Sequence, residues 1–479
     1  MKKIDFVILF LIIAVGLAVR LYHVTAPMGD FHSWRQSDTA AVARHFVTDG
    51  FDLLHPRYDD ISSVSTGLDN PNGYRMVEFP IYNALFAALY KYMPILSLEV
   101  YGRLVSIVFS LITLAVVYYF ARKESGLVAA CIASLVYAVF PFFVFFSRVI
   151  LPEPMAISCV FISLFFLYQY MEAKSPVNRY SMYTLAIISF AAALLAKPTA
   201  AFYGIPLLFI FILVFLKRRI AWLECGIFFV LSAAPMLIWR QYITAYPEGI
   251  PPDMWLITSV NTYLGQQNIF FKPAFFRWVF YERISRIILG TFAIPLLVIG
   301  LLAKQKRYFL YSIMAGALAY LFVFQGGNVQ HAYYQTLILP ALALFVGIGV
   351  QYITDHHATF LPRWITYPTI LALLIVGAIF SWYDVKDYYG YSSELVQIAA
   401  IVNSLTQPSD RIVTDRIGDT TLMYLMNRRG APALFAQPDE LKKRGYTYVV
   451  TMNKETEAKF KKLSYQVVFE NDKFALIHL

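Results

Sequence analysis

Residues 101–146 read YGRLVSIVFSLITLAVVYYFARKESGLVAACIASLVYAVFPFFVFF, and this stretch decides the fold. It holds two apolar runs, 101–121 and 126–146, joined by a short basic hinge at Arg122-Lys123. Each run is close to the roughly 20 apolar residues that cross the hydrocarbon of a bilayer. Moving outward, the same pattern recurs at 4–22, 154–173, 180–196, 199–216, 221–241, 285–303, 308–325, 333–353 and 365–383. The chain has 479 residues, of which 59% are hydrophobic and only 15% charged. A soluble protein of this size could not bury that much apolar surface, so soluble enzyme, disordered protein and disulfide scaffold are excluded. The three cysteines, Cys131, Cys159 and Cys225, all sit in apolar runs, where no external loop can be stapled. The expected fold class is a polytopic α-helical membrane protein of about eleven spans, by the same length rule.

Sidedness follows from the basic residues. With Lys2-Lys3 cytoplasmic, the gaps at Arg122-Lys123, Lys174–Arg179, Lys217–Arg219, Lys304–Arg307 and His356–Arg363 all fall inside. The segments 23–100, 147–153, Lys197-Pro198, 242–284 and 326–332 then fall outside. The net charge of +10 is accounted for by this loop bias and by anionic lipid, without a nucleic-acid partner. Alternation holds only if 79–94 does not span. Pro80, Asn83, Lys91 and Pro94 make it a helix lying in the interface. The first run ends in Arg20-Leu21-Tyr22 with no small-residue cleavage site, so it reads as an uncleaved first span.

Composition shifts after residue 383. The tail 384–479 carries 13 Lys+Arg and 12 Asp+Glu in 96 residues, the mark of a small water-exposed domain. Its pattern predicts helices at 393–404, 419–428, 438–444 and 454–462. Strands are expected at 411–414 and 446–450, with a hairpin of 465–469 and 474–478 around Asn471-Asp472. The expected organisation is therefore a membrane module, 1–383, with external loops 23–100 and 242–284, followed by an extracytoplasmic α/β domain, 384–479.

Four places carry candidate chemistry. The external loop 23–100 contains GDFHSWRQSDTAAVARHF, with a helix expected over Ser37–Thr48 and Ser37 or Asp38 near its N-terminus. Acids in such a loop are ordinarily just solvated. Asp30, Asp38 and Glu78 stand out because apolar neighbours partly bury them, and a desolvated carboxylate can take a proton near neutral pH. Next, Glu153 lies between Pro152 and Pro154, with Arg148 five residues before it. An ionisable group at a membrane edge can be a mere anchor, but flanking prolines fix its direction. Third, Lys197 stands alone between apolar runs, either a snorkelling cation or a phosphate ligand. Finally, His331, Tyr333, Tyr334 and Gln335 crowd the external end of the tenth span. The sidedness rule puts all four places on one face, which suggests one outward-facing cavity.

These motifs, Val77-Glu78-Phe79-Pro80-Ile81-Tyr82, Leu151-Pro152-Glu153-Pro154, Lys197-Pro198 and His331-Ala332-Tyr333-Tyr334 with Leu339-Pro340, resemble the lipid-dependent glycosyltransferases of the C superfamily. The nearest branch is the dolichyl-phosphate-mannose protein mannosyltransferase-like proteins of family 39, which include bacterial aminoarabinose transferases. The resemblance implies a polyprenyl-phosphate-linked sugar as donor and an acidic residue of the first loop as base. Family members carry Asp-Glu where this chain has Arg35-Gln36, so the base falls to Asp38 or Asp30. Asp38 is slightly favoured, because HSWRQSDT resembles a bacterial variant of the signature. Glu153 matches the family's second acid. Glu78 matches the acid of a Glu-Lys-Pro-Pro motif whose lysine is Phe79 here. Lys197, Arg148 or Arg35 would then hold the phosphate, with Tyr334 and His331 beside it. His32, Gln36, Glu78, Tyr82, Tyr333 and Gln335 would line the substrate cavity.

The implied activity is inverting transfer of a sugar from the lipid carrier to a glycan, lipid or protein acceptor at the outer face of the cell membrane. No cofactor is assigned; a divalent metal is an open option, for which Glu78 and His331 are the only candidate ligands. A secondary transporter fits the span count, but no inverted repeat is visible. A membrane scaffold protein would explain the tail but not the clustered charges.

Overall fold

The computed structural model describes residues 2–216, 218–251, 272–304, 307–357 and 362–479. The chain is a polytopic helical membrane protein with a small C-terminal sheet, as its apolar runs require. In chain order the helices are α1 (Lys3–Arg20), α2 (Ser33–Asp49), α3 (Ile81–Tyr92), α4 (Leu98–Glu124), α5 (Leu127–Val139), α6 (Pro141–Phe146), α7 (Glu153–Glu172), α8 (Pro176–Ala196), α9 (Gly204–Phe215) and α10 (Ala221–Ile243). They continue with α11 (Pro273–Phe276), α12 (Ile294–Leu302), α13 (Phe309–Val323), α14 (Gln325–Gln330), α15 (Leu339–Asp355), α16 (Arg363–Val385) and α17 (Ser393–Leu405). Seven helical stretches among the described residues are long and apolar enough to cross a membrane: Leu98–Glu124, Glu153–Glu172, Pro176–Ala196, Pro198–Phe215, Ala221–Ile243, Ala332–Asp355 and Arg363–Leu405. Leu127–Val139 and Phe309–Val323 are apolar but shorter. Helix occupies each of the eleven segments expected from the sequence. The segment 285–303 is broken, with a wide-turned helix Arg277–Ile288 giving way at Gly290 to α12. Of the predicted second loop 242–284, residues 252–271 lie outside the described residues.

The chain divides into two compact units. The first comprises Met1–Val24, Arg103–Ile238 and Asp253–Tyr388; the second comprises Thr25–Gly102, Trp239–Pro252 and Tyr389–Leu479.

Within the first unit the ends of α1 are tied down by charge. Asp5 accepts from Arg122 at 2.7 Å and from the Tyr118 hydroxyl at 3.3 Å. Arg20 is fully buried and its guanidinium donates to Ser110, Ser147 and the carbonyls of Gly16, Ala138 and Tyr137 at 2.7–3.0 Å. A buried guanidinium is tolerated when its donors are met in this way. Helices α12 and α15 cross with backbones in contact. A Cβ at Gly300 would sit 1.8 Å from the Phe345 carbonyl oxygen, and one at Gly349 1.9 Å from that of Leu296. Small residues permit such approaches between helices in a bilayer, where close packing replaces hydrophobic expulsion as the driving force.

The second unit joins the first loop to the tail. Helix α3 has 12 residues, about 18 Å at 1.5 Å per residue, too short to span. Five strands, β1 (Ile412–Thr414), β2 (Gly430–Ala431), β3 (Tyr448–Thr451), β4 (Gln466–Glu470) and β5 (Ala475–His478), form one sheet in the order β2-β1-β3-β5-β4. The inner pairs β1/β2 and β1/β3 are parallel, while β5 runs antiparallel to β3 and β4. The Asn471 side chain closes the β4–β5 turn by accepting from the amides of Lys473 and Phe474. The edge of β2 is covered by loop residues 59–61: Gly430 donates to the Asp59 carbonyl at 2.9 Å, and Ile61 donates to that of Gly430 at 2.9 Å. Covering an exposed edge in this way removes a site for stray strand pairing.

Candidate active-site residues

In the second unit the candidate residues cluster on α2. The helix starts at Ser33, four residues before the predicted Ser37, with His32 before it in the left-handed region (φ 59°). Asp38 therefore lies a turn and a half inside the helix and caps nothing. Its carboxylate is instead held by Arg75 at 2.8 Å and by the Thr420 hydroxyl at 2.7 Å. Arg75 lies over the Tyr58 ring, 5.2 Å from its centroid. Asp30 is buried and accepts from the Gln36 amide at 2.6 Å; that nitrogen also donates to the Phe31 carbonyl at 3.0 Å. Arg35 reaches both oxygens of Glu78 at 2.7 Å. The ring of Phe79, where the resembled motif has lysine, meets Trp239 edge-on at 5.1 Å. Tyr82 is fully buried and donates to the Gly102 carbonyl at 2.8 Å. Of the buried Arg35, Gln36, Ser37, Asp38 and Thr39 on this helix, all but Ser37 have partners for their side chains, and the Ser37 hydroxyl has none among the described residues.

A second charged knot lies at the other end of α2. Arg44 donates to Asp59 and to the Tyr424 carbonyl, while His45 bridges Asp49 at 2.9 Å and Asp59 at 3.2 Å. Burial would raise the Asp59 carboxyl, but Arg44 and His45 hold it below the ordinary range. One residue on, Asp60 is held by Ser62 and Ser65, which are neutral, and burial pushes its carboxyl up.

In the first unit the candidates from three separate gaps come together. Pro198 excludes Lys197 from the helical region and ends α8 there. Lys197 takes an extended conformation (φ −156°, ψ 108°), and a 3₁₀ turn, Pro198–Tyr203, follows. Glu153 opens α7, with Pro154 in the first turn, where a missing amide costs nothing. Lys197 Nζ lies 2.7 Å from Glu153 Oε1, with the two side chains 7% and 1% exposed. This is a buried ion pair, not a lysine reaching for water. The helix N-terminus adds positive potential at the same carboxylate. Residues Ala332–Ile338 form a 3₁₀ turn that presents Tyr333 and Tyr334, whose rings lie 5.9 and 5.1 Å from the Lys197 ammonium. Such contacts stabilise a desolvated cation. His331 stacks on Tyr333 at 5.4 Å. Gln335 is buried and donates to the Asn328 carbonyl at 2.7 Å. Arg148 is fully buried, donates to the His23 carbonyl at 3.0 Å and covers the Phe145 ring.

Among the described residues, no three His, Cys, Asp or Glu side chains assemble into a metal site. Glu78 is engaged by Arg35 and His331 by an aromatic stack.

Sequence reasoning missed Arg75, Thr420 and Asn328. Arg75, three residues before Glu78, could have been flagged as the one cation within the motif stretch. Thr420 could not, since nothing in the tail's sequence points to the first loop.

Residues 83–239 match the family described as dolichyl-phosphate-mannose-protein mannosyltransferase. Among solved structures, ArnT from Cupriavidus metallidurans bound to undecaprenyl phosphate superposes with a TM-score of 0.66 at 16% identity, covering 100% of this chain and 98% of its own. The chain therefore shares the fold of ArnT. The Archaeoglobus fulgidus oligosaccharyltransferase in complex with zinc and sulfate shares this fold too, with a TM-score of 0.60 at 10% identity over 93% of this chain and 67% of its own. No curated protein matches the chain in sequence.

Proposed function

We propose that the chain is a membrane glycosyltransferase that moves a sugar from a polyprenyl-phosphate carrier to an acceptor, with inversion at the anomeric carbon. The observation that carries this reading is the buried Lys197–Glu153 pair against Tyr333 and Tyr334. A buried ion pair is costly to desolvate and adds little stability of its own, so its retention beside two tyrosines favours a role in binding a charged group. The family match over 83–239 and the likeness to an undecaprenyl-phosphate-bound ArnT support the same substrate class.

In the proposed reaction a first-loop carboxylate, Asp38 or Asp30, takes the proton from the acceptor hydroxyl or amine. The acceptor atom attacks the anomeric carbon from the side opposite the phosphate. The bond between that carbon and the phosphate oxygen breaks, and its electron pair stays on the phosphate. The leaving group is already charged, so it needs fixed cations more than a general acid. Lys197 supplies one, and Arg148 and Tyr334 are proposed to assist. Glu153 orients Lys197 through their ion pair. The Arg35–Glu78 pair fixes the start of α2, where both candidate bases are anchored. In this reading the first loop and the tail lie on the outer face, with the N-terminus cytoplasmic.

The test is the lipid that the protein retains. Mass spectrometry of lipids co-purified with the full chain should find a polyprenyl phosphate, enriched over a mock purification. No enrichment, together with no binding of added undecaprenyl phosphate, overturns the reading.

A further inference from the structure

The first unit leaves one group of buried polar atoms short of partners. Gln325 opens α14 and is fully buried; among the described residues neither atom of its carboxamide has a hydrogen-bond partner. The same holds for the Gln335 side-chain oxygen and for the hydroxyls of Thr336, Ser158 and Thr199. These atoms are not scattered. Ser158 is on α7 five residues after Glu153, Thr199 is two residues after Lys197, and Gln335 and Thr336 directly follow Tyr334. Apart from Gln325 they occupy the elements that build the Lys197–Glu153 pair and its aromatic cover, which pack on one another, and α14, which carries Gln325, packs on the turn Ala332–Ile338. Asn328 ties the group together: its carbonyl and side-chain oxygens accept from Gln335 Nε2 at 2.7 and 3.1 Å. Tyr320 donates to the Tyr334 carbonyl at 3.1 Å and has Asn328 and Glu153 as neighbours.

Folding selects against buried polar groups without partners, so a concentration of them marks a place where partners arrive later. Their chemistry names the partner. A carboxamide offers two donors and two acceptor lone pairs, and a hydroxyl offers both roles. None of these groups is charged, so together they suit a ring of neutral hydroxyls better than an ion. A glycosyl phosphate also carries its phosphate on the ring's first carbon, so a sugar subsite must adjoin the cation that holds the phosphate.

We propose that Gln325, Gln335 and the hydroxyls of Thr336, Ser158 and Thr199 form the subsite that recognises the hydroxyls of the donor's sugar ring, beside Lys197. This rests on the reading of the chain as a lipid-linked sugar transferase and assigns it a specificity site.

The experiment measures affinity of the full chain in nanodiscs for undecaprenyl phosphate and for undecaprenyl phosphates bearing glucose, galactose, mannose or 4-amino-arabinose. The wild-type chain should bind at least one sugar-bearing lipid more tightly than the bare carrier. Gln325→Leu and Gln335→Leu should each weaken that lipid about 10-fold or more, because a site built to bond hydroxyls depends on each bond. They should leave the bare carrier within about 2-fold, since neither touches the phosphate; Gln325→Leu should not lower thermal stability, whereas Gln335→Leu also gives up the bonds to Asn328. If a leucine variant fails to fold, the isosteric Thr199→Val carries the same comparison. Equal losses for both lipids, or no loss for either, overturn the subsite. A wild-type chain that binds the bare carrier but prefers no sugar-bearing lipid also overturns it and leaves the transferase reading standing. A chain that binds no polyprenyl phosphate at all removes both.

Discussion

Lys197 and Glu153 show how far single residues could be read. Each stood out in the sequence as a lone charge at a membrane edge, and each was also open to the plainer account of an anchor or a snorkelling side chain. Their meeting at 2.7 Å was not legible, because the residues are 44 positions apart on different helices. The pair yields a prediction that separates structure from function. Lys197→Met alone should destabilise the chain by roughly 3–5 kcal/mol by stranding the Glu153 charge. Adding Glu153→Gln should restore most of that loss in thermal melts. Binding of undecaprenyl phosphate should stay weak in the double variant; if binding returns with stability, the pair is only a brace. The base is tested by neutralisation without change of size. Asp38→Asn should reduce turnover by about 10²–10⁴-fold with donor binding retained, the usual contribution of a general base, while Asp30→Asn should be mild. A silent Asp38→Asn beside a dead Asp30→Asn moves the role to Asp30. If turnover survives both, neither Asp38 nor Asp30 is the base. Arg75 and Thr420 already engage Asp38, so Thr420→Val should also lower turnover, by loosening the carboxylate's orientation.

At the level of elements, periodicity was a good guide where one segment decides its own structure. The tail helix expected at 393–404 is Ser393–Leu405, and that expected at 454–462 is Lys454–Lys462. The Asn471-Asp472 turn is present as expected. Strand β2 was not legible: Gly430-Ala431 has no strand propensity, and it is extended only because β1 and loop residues 59–61 flank it. The early start of α2 was missed for a related reason. Its polar first turn reads as a loop until Arg75, Glu78 and Asp30 supply partners. The helix Lys454–Lys462 carries a pH prediction. Lys461 and Lys454 bond the Glu457 carboxylate and hold it down to about 2, from an ordinary 4.5. A depressed acid stabilises the fold above its unfolded pKa and loses that contribution as pH falls through the folded one. Hydrogen-exchange protection over 454–470, referred to intrinsic exchange rates, should therefore fall between about pH 4.5 and pH 2. Glu457→Gln should exchange faster than wild type at pH 6 and show a flatter dependence across that window. An unchanged acid slope would mean the lysines do not set it.

For the whole molecule, membrane class followed from composition and length alone; of the eleven expected spans, seven helical stretches among the described residues are long and apolar enough to cross. The compact units did not follow from either. Composition breaks after 383, whereas the tail forms one unit with residues 25–102 and 239–252. Contacts such as Arg444–Asp69 and Gly430–Asp59 join segments that no local pattern connects. This has a consequence for sidedness. Leu68 and Ser409 are exposed members of the same unit, so Leu68→Cys and Ser409→Cys should both react with an impermeant thiol reagent added to intact cells. Labelling of only one would contradict both the unit and the alternation of basic gaps.

The pairing of α1 also bears on how the chain is made. This helix leaves the ribosome before α4 and α5, with Asp5 near one end and Arg20 at the other. Asp5 accepts from the nearby Lys2 amide, but its side-chain partners are Tyr118 and Arg122, and most of the partners of Arg20 lie between Ser110 and Ser147. Until about a hundred and thirty residues beyond Arg20 have been synthesised, the two charges lack their full set of native neighbours, and a charge facing lipid is costly. The first helix is thus provisional at birth: its place in the bilayer is ratified only when α4, α5 and Ser147 arrive.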